Sequence, residues 1–150
     1  MQPEKILKDL GFDLPETPAA LASYIPAKRH DNLVITSGQL PLKAGKPACP
    51  GRVGSDVSLE QAQEEARTAV INALAAVKTV AVLEDIKEVI RLGVYVASAD
   101  DFFEHHLVAN GASELLQKIF GEAGRHTRFA VGVRSLPLNA CVEVELTVRI

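Results

Sequence analysis

The last part of the chain places an arginine and a glutamate where they could act on a small molecule that carries a carboxylate. Arg128 and Glu143 lie in two segments, residues 128–134 and 140–150, whose apolar and polar residues alternate as in β-strands. The turn-like residues 135–139 between the segments indicate a hairpin, and a symmetric turn would place Arg128 opposite Glu143 on the face away from the core. The guanidinium could grip both carboxylate oxygens, while the glutamate could order a water molecule or transfer a proton.

Small residues beside this pair, Ala130 and Gly132, would leave space for a ligand. His126 and Cys141 would share the same face, with Cys141 opposite Ala130, so both could line the pocket. Each also has a structural interpretation, His126 as a loop residue and Cys141 as a core or rim residue. The arginine and glutamate themselves could form an ordinary cross-strand pair, which contributes only about 0.2–1 kcal/mol. Spacing alone leaves both interpretations open.

Other residue types that could do chemistry give weaker signals. The adjacent His105 and His106 would project about 100° apart on a helix, which makes a shared metal ligand set unfavourable. No Cys/His cluster has zinc-site spacing, and no glycine-rich loop has a phosphate-binding pattern. Ser37 has no histidine-base motif around it, so a serine nucleophile is not expected. The sequence therefore predicts no metal and no cofactor.

Composition sets the class of protein. The 150 residues predict one domain, residues 1–150, and the 47% hydrophobic content is enough for a core. A net charge of −3 argues against a nucleic-acid partner, because such proteins usually carry a basic face. The first residues, MQPEKILKDLGFDLPET, contain no apolar export segment, and no apolar run is long enough to cross a membrane. We therefore expect a cytoplasmic protein with reduced cysteines.

The elements that would carry these residues form an α+β pattern. Ser58 and Gln61 fit a capping box at the start of a long helix, and Asp100 or Asp101 could cap a later one. Residues 41–57 resemble a loop. The pattern predicts helices over 3–10, 58–82 and 102–120, and strands over 21–27, 33–40, 87–98, 128–134 and 140–150. Such an order favours a mixed sheet with two long helices on one face, and an open face that another subunit would cover.

Three blocks of sequence, in order along nearly the whole chain, resemble one known family. They are Tyr24 with DNLVITSGQLP (31–41), VYVASADDF (94–102), and RFAVGVRSLPLNACVEVEL (128–146). Together they are similar to the Rid (reactive intermediate deaminase) family, also called YjgF or L-PSP endoribonuclease-like. The resemblance implies a chorismate-mutase-like fold, assembled as a homotrimer with three pockets between subunits.

The resemblance also implies an activity. Members hydrolyse enamine and imine intermediates such as 2-aminoacrylate to 2-keto acids and ammonia, without a cofactor. Arg128 takes the position of the family's carboxylate-binding arginine and Glu143 that of its pocket glutamate, while Tyr24 and Gly38 match pocket residues. Asp100 stands where the family has an asparagine that contacts substrate.

Departures from the family pattern indicate a divergent subgroup with a different substrate. Ala130 replaces a frequent Cys or Ser, His126 and Thr127 replace Pro-Ala, and the segment 104–125 is longer than in the shortest members. Two alternatives to hydrolysis stay open: an endoribonuclease or translation inhibitor, and a non-catalytic regulatory protein that binds keto or amino acids. The acidic composition and the 5% aromatic content count against RNA.

Overall fold

The computed structural model describes residues 1–17 and 22–150. Within them, the α-helices and strands follow in this order: Pro3–Asp9 (α1), Ala27–His30 (β1), Leu33–Thr36 (β2), Leu42–Lys43 (β3), Lys46–Pro47 (β4), Leu59–Lys78 (α2), Glu88–Ala97 (β5), His105–Phe120 (α3), Thr127–Val133 (β6) and Val142–Arg149 (β7). This arrangement confirms the predicted α+β class.

Five of the strands form one mixed sheet in the order β1-β2-β7-β5-β6, while β3 and β4 form a small separate hairpin. Only β5 and β6 run parallel; the other neighbours are antiparallel. The long helices α2 and α3 pack against each other and cover one face of the sheet. They approach closely at Gly111, where a Cβ atom would lie 2.3 Å from the carbonyl oxygen of Gln63. The helices and the sheet enclose the core between them.

The predicted hairpin of the last two strands is wrong, because β5 lies between β6 and β7. Arg128 is aligned with Leu92 of β5, and Glu143 is aligned with Tyr95 of the same strand. Arg128 and Glu143 are therefore not cross-strand partners. The connection of residues 134–141 crosses the end of β5 and does not close a tight turn. Strand order of this kind depends on long-range pairing, which local alternation cannot reveal.

The predicted face of β6 is also wrong. Arg128, Ala130 and Gly132 are aligned with the core residues of β5, so they lie on the helix-covered side. The apolar residues Phe129 and Val131 face the opposite, open side, where Val131 is 42% exposed. The apolar residues of a strand usually point to the core, and β6 is the exception.

Cys141 is consequently not a neighbour of Ala130. Ala130 is aligned with Val94, on the far side of β5 from β7. Cys141 is fully buried and belongs to the core. Burial first, and then the charge of Glu65, raise the pKa of its thiol to about 12. The core interpretation of Cys141 is correct.

The first hairpin forms around the predicted turn, with β1 and β2 antiparallel, but both of its strands have other bounds than predicted. Its first strand begins at Ala27 instead of residue 21, and its second strand ends at Thr36 instead of residue 40. Leu21 lies outside the described residues, and residues 22–26 are not in a strand. Residues 41–57 contain the short hairpin of β3 and β4 within the predicted loop.

The start of α2 is as predicted, but that of α3 is not. The Ser58 side chain accepts from the Gln61 amide, and the Gln61 side chain accepts from the Ser58 amide, which completes the capping box. Helix α3 begins only at His105, after Glu104, whose side chain does not cap it. Neither Asp100 nor Asp101 caps the helix, because both precede its N-cap residue Glu104; the exposed Asp100 pairs with Arg52 instead.

The sheet face opposite α2 and α3 contains a mixture of apolar and charged side chains. The ring of Tyr95 meets that of Phe129 edge-on, with centroids 5.2 Å apart. The guanidinium of Arg91 lies 5.1 Å from the centroid of Phe129 and 3.9 Å from Glu145. No helix among residues 1–17 and 22–150 is long and apolar enough to span a membrane.

Candidate functional site

Arg128 is held by neutral groups of α3. Its Nη1 donates to Oδ1 of Asn110 at 2.8 Å and to Oγ of Ser113 at 3.0 Å, and its Nη2 donates to the carbonyl of His106 at 2.9 Å. No carboxylate of the described residues forms an ion pair with it. The guanidinium is therefore oriented and partly buried, but its charge is not neutralised.

His126 joins Arg128 through Ser113. Its Nδ1 lies 2.6 Å from the Gly124 carbonyl and its Nε2 lies 2.9 Å from Oγ of Ser113. Because a carbonyl can only accept, Nδ1 carries the proton, and Nε2 of the neutral ring accepts from the Ser113 hydroxyl. Burial lowers the pKa of His126, and the charge of Arg128 lowers it further, against the opposing effect of the Gly124 bond. The lowered pKa favours the neutral ring, in which Nε2 accepts from the Ser113 hydroxyl and the Ser113 oxygen accepts from Arg128.

Asn110 and Ser113 were not identified from the sequence. A usable signal exists, since residues 106, 110 and 113 are spaced by four and three and must share one face of a helix. Polar residues on the face that turns toward β6 indicate a polar partner on that strand.

Glu143 lies on the open face, against the segment that follows β2. A Cβ atom on Gly38 would lie 2.2 Å from Oε1 of Glu143, so only glycine permits this approach. Gln39 exchanges two backbone hydrogen bonds with Val144, of 2.7 and 3.0 Å, which fix the segment beside β7. Burial raises the pKa of Glu143, and the nearby Glu145 raises it further. The carboxyl is thus shifted toward the range in which it can exchange a proton near neutral pH.

Tyr24 lies on a groove of about 390 Å³ that borders the same segment. Its side chain is 45% exposed. The neighbouring Ser37 hydroxyl donates to the carbonyl of Ile25 at 2.6 Å, so it is oriented toward the backbone and not toward a histidine. The structure thus groups Tyr24, Gly38 and Glu143 around the end of β2.

Asp100 and Ala130 lie apart from this group. The Asp100 side chain is fully exposed, and its Oδ1 lies 3.2 Å from Nη2 of Arg52. Ala130 lies on the helix-covered side, two residues along β6 from Arg128. Among the described residues no cluster of three or more His, Cys, Asp or Glu side chains could hold a metal.

The site residues thus form two groups on opposite faces of the sheet. One contains Arg128 and His126, beneath α3, and the other contains Glu143, Gly38 and Tyr24, on the open face. Strand β5 separates them. A small molecule bound to one chain cannot touch both Arg128 and Glu143.

Comparisons with known proteins give a consistent family assignment. Residues 4–150 match the family described as "YjgF/chorismate_mutase-like, putative endoribonuclease". Protein TCP17 of Trypanosoma cruzi is 35% identical over 146 residues, which cover 96% of this chain and 91% of TCP17. The crystal structure of Atu1372 from Agrobacterium tumefaciens is 46% identical, covering 99% of this chain and 91% of that one, with a TM-score of 0.91.

A second crystal structure is similar over its whole length. This is a "putative endoribonuclease" of Shewanella oneidensis, 36% identical, covering 99% of both chains with a TM-score of 0.95. The match of the family model covers every strand of the sheet and both long helices. The chain belongs to the YjgF/chorismate-mutase-like family.

Proposed function

We propose that the protein hydrolyses enamine or imine intermediates that carry a carboxylate, such as 2-aminoacrylate, to 2-keto acids and ammonia without a cofactor. The observation that carries the proposal is the state of Arg128. A guanidinium that is partly buried, fixed by three neutral acceptors and left without a carboxylate is suited to receive an anionic substrate.

The complete site would form between copies of the chain. Arg128 and Glu143 face opposite sides of one sheet. The Arg128 of one copy could therefore meet only the Glu143 of a second copy. The open face supports such contacts, since Val131 is 42% and Ile35 49% exposed there. We propose a homotrimer, in which Arg128 near the free edge of β6 meets the open face of a neighbour.

The chemistry would need one anchor and one proton-transfer group. Arg128 holds the substrate carboxylate and aligns the imine carbon. The enamine reacts as its protonated imine tautomer: a water molecule attacks the iminium carbon, one water proton passes to the carboxylate of Glu143, and the C=N bond becomes the C–N bond of a neutral carbinolamine. The glutamic acid then gives that proton to the amino nitrogen, the C–N bond breaks, and ammonia leaves. The regenerated carboxylate accepts the hydroxyl proton as the C=O bond forms. The raised pKa of Glu143 favours both roles near neutral pH.

A neighbour of the same fold supports a small ligand with a carboxylate. The crystal structure of E. coli TdcF contains bound serine; it is 21% identical to this chain, covers 90% of it and has a TM-score of 0.65. At that identity the likeness shows the fold alone.

RNA cleavage is the second candidate, because the matching family and the Shewanella oneidensis relative are both described as putative endoribonucleases. The net charge of −3 is unfavourable for binding a polyanion. If RNA were the substrate, cleavage would fall steeply as salt rises and would disappear when Arg128 is replaced.

The direct test generates 2-aminoacrylate with a serine dehydratase and follows keto-acid release with and without the protein. We expect release faster than spontaneous hydrolysis, unchanged after dialysis against a chelator. Light scattering of the same sample is expected to give three times the chain mass of 16.1 kDa. A stable active monomer would contradict the shared site, and a trimer without acceleration would contradict the hydrolysis.

A further inference from the structure

A separate groove opens where the two parallel strands end. Strands β5 and β6 run in the same direction, so their carboxyl ends meet at one edge of the sheet, beside the start of α3. The groove has a volume of about 810 Å³. Carboxyl ends of parallel strands are frequent ligand sites in α/β proteins. Here the edge lies four residues along β6 from Arg128, or about 13 Å at the usual rise of a strand.

The floor of this groove carries a hydroxyl and an imidazole. Oγ of Ser98 and Nε2 of His105 are 3.0 Å apart. The Phe102 ring packs edge-on against the imidazole, with centroids 5.3 Å apart, which holds its orientation. Gly132 leaves room for the pair, since a Cβ atom there would lie 2.6 Å from Nε2 of His105 and 2.8 Å from Oγ of Ser98.

The groove carries a surplus of positive charge. Arg52 donates through Nη2 to the Ser98 carbonyl and to the exposed Asp100. Its Nε–H is buried and has no hydrogen-bond partner among the described residues, so the protein does not satisfy this guanidinium fully. Arg134 lines the same groove and forms no ion pair within residues 1–17 and 22–150. Among the residues that line the groove, two guanidinium groups stand against one carboxylate, while the Asp56 carboxylate accepts from the Arg52 amide beside it.

We infer that this groove binds a small monocarboxylate with an apolar or aromatic part. The carboxylate would lie between Arg134 and Arg52, with the Ser98–His105 pair as an additional hydrogen-bonding partner. The apolar part would lie against Phe102 and Phe103, the latter 77% exposed at the rim. A single net positive charge matches a monoanion better than a phosphate dianion. Neither Arg128 nor Glu143, the two groups proposed for hydrolysis, lines this groove.

Phenylacetate is the probe, because it combines one carboxylate with one aromatic ring. Calorimetric titration of the full-length protein is expected to show saturable binding. In amide NMR spectra, phenylacetate is expected to shift the signals of Ser98, Gly132 and Arg134. The neutral phenylacetamide and inorganic phosphate should leave these signals unshifted and should give no heat of binding.

Two surface variants test the carboxylate-binding part and the apolar part of the site separately. Arg134→Gln should weaken phenylacetate binding about two- to fivefold, the loss expected for one partly exposed ion pair. Phe103→Ser should weaken the binding of phenylacetate but leave the affinity for acetate unchanged. Arg125→Gln is the matched control, because Arg125 is an exposed arginine of another segment that pairs with Glu122.

Glu143→Gln separates this inference from the proposed hydrolysis. It should slow turnover while leaving phenylacetate affinity unchanged. Unaltered affinity in Arg134→Gln would overturn the groove as the binding site. The same holds if amide shifts are confined to the surroundings of Arg128, or if phosphate binds as tightly as phenylacetate.

Discussion

Replacing Arg128 tests the proposed reaction most directly, and the structure allows its two effects to be estimated separately. The guanidinium makes three hydrogen bonds to α3. Bonds to a charged group are worth about 1.5–3 kcal/mol each when buried, but Arg128 is only partly buried and water can replace some of them. We expect Arg128→Ala to lower the free energy of unfolding by about 1–3 kcal/mol and to leave the fold intact.

The effect on turnover should be larger than the effect on stability. Loss of a two-pronged carboxylate contact costs about 2–4 kcal/mol of binding free energy in a partly buried site, a factor of about 30 to 1,000 in kcat/KM. Arg128→Lys keeps the charge, but one ammonium cannot reach Asn110, Ser113 and the substrate with the same geometry. It should therefore lose most of the activity as well.

The assay compares keto-acid release from enzymatically generated 2-aminoacrylate with thermal melts of the same samples. Arg125→Ala serves as the control, because it removes an exposed arginine whose partner is Glu122. If Arg128 only holds α3 on β6, its replacement will lower the melting temperature and leave kcat/KM unchanged. Parent activity in a folded Arg128→Ala protein would refute the proposed mechanism.

Further substitutions test the other parts of the reasoning. Gly38→Ala should keep the fold but displace the Glu143 carboxyl, since the added methyl group would overlap Oε1. Its turnover should fall toward that of Glu143→Gln, which we expect to be about 10²–10⁴-fold slower than the parent. Equal rates in Gly38→Ala and the parent would refute the contact. Val131→Asp places a charge on the open face, so light scattering should show a mass below that of the trimer and keto-acid release should slow. An unchanged mass would argue against an interface at this face. Burial raises the pKa of Glu65 in the folded protein above its value in the unfolded chain. Protonated Glu65 therefore adds to the free energy of unfolding below the unfolded-state pKa, and this contribution is lost as pH rises through the folded-state pKa. Glu65→Gln should remove this loss, and its melting temperature relative to the parent should rise with pH; a difference independent of pH would contradict the argument.

Features encoded by neighbouring residues could be predicted from the sequence. The start of α2 depends on Ser58 and Gln61, three residues apart, and both capping bonds form as expected. Its apolar stripe and the alternation of β7 likewise follow from local periodicity, and they predicted the side of the sheet that the helices cover. Such signals act within one element and need no knowledge of its neighbours.

Features that depend on strand order could not be predicted in the same way. The hairpin of β6 and β7 was a reasonable expectation from their short connection, yet β5 inserts between them. Alternation alone fixes which residues of a strand share a face, but not which face meets the helices. For β7 the apolar face is the core face, whereas for β6 it is not, and the pairing of Arg128 with Glu143 failed for that reason.

A buried acid in α2 has a signal in the sequence. Glu65 lies three residues after Ala62 and four before Ala69, so it belongs to the apolar stripe and had to be buried or to interrupt it. The structure buries it, and its carboxylate accepts from the amide of Cys49. A charged residue on the core face of a helix therefore predicts a polar partner from a neighbouring loop.

Gly93 explains why β6 keeps its unusual orientation. The Phe129 ring lies directly over Gly93, where a Cβ atom would come within 2.6 Å of it. A shift of one residue along β5 would turn Phe129 and Val131 under α3 and expel Arg128 from its three hydrogen bonds. The same register thus places the proposed carboxylate anchor on one face and the apolar contact surface on the other. Because β6 carries both, a change that turns this strand over would remove the anchor and the assembly surface together.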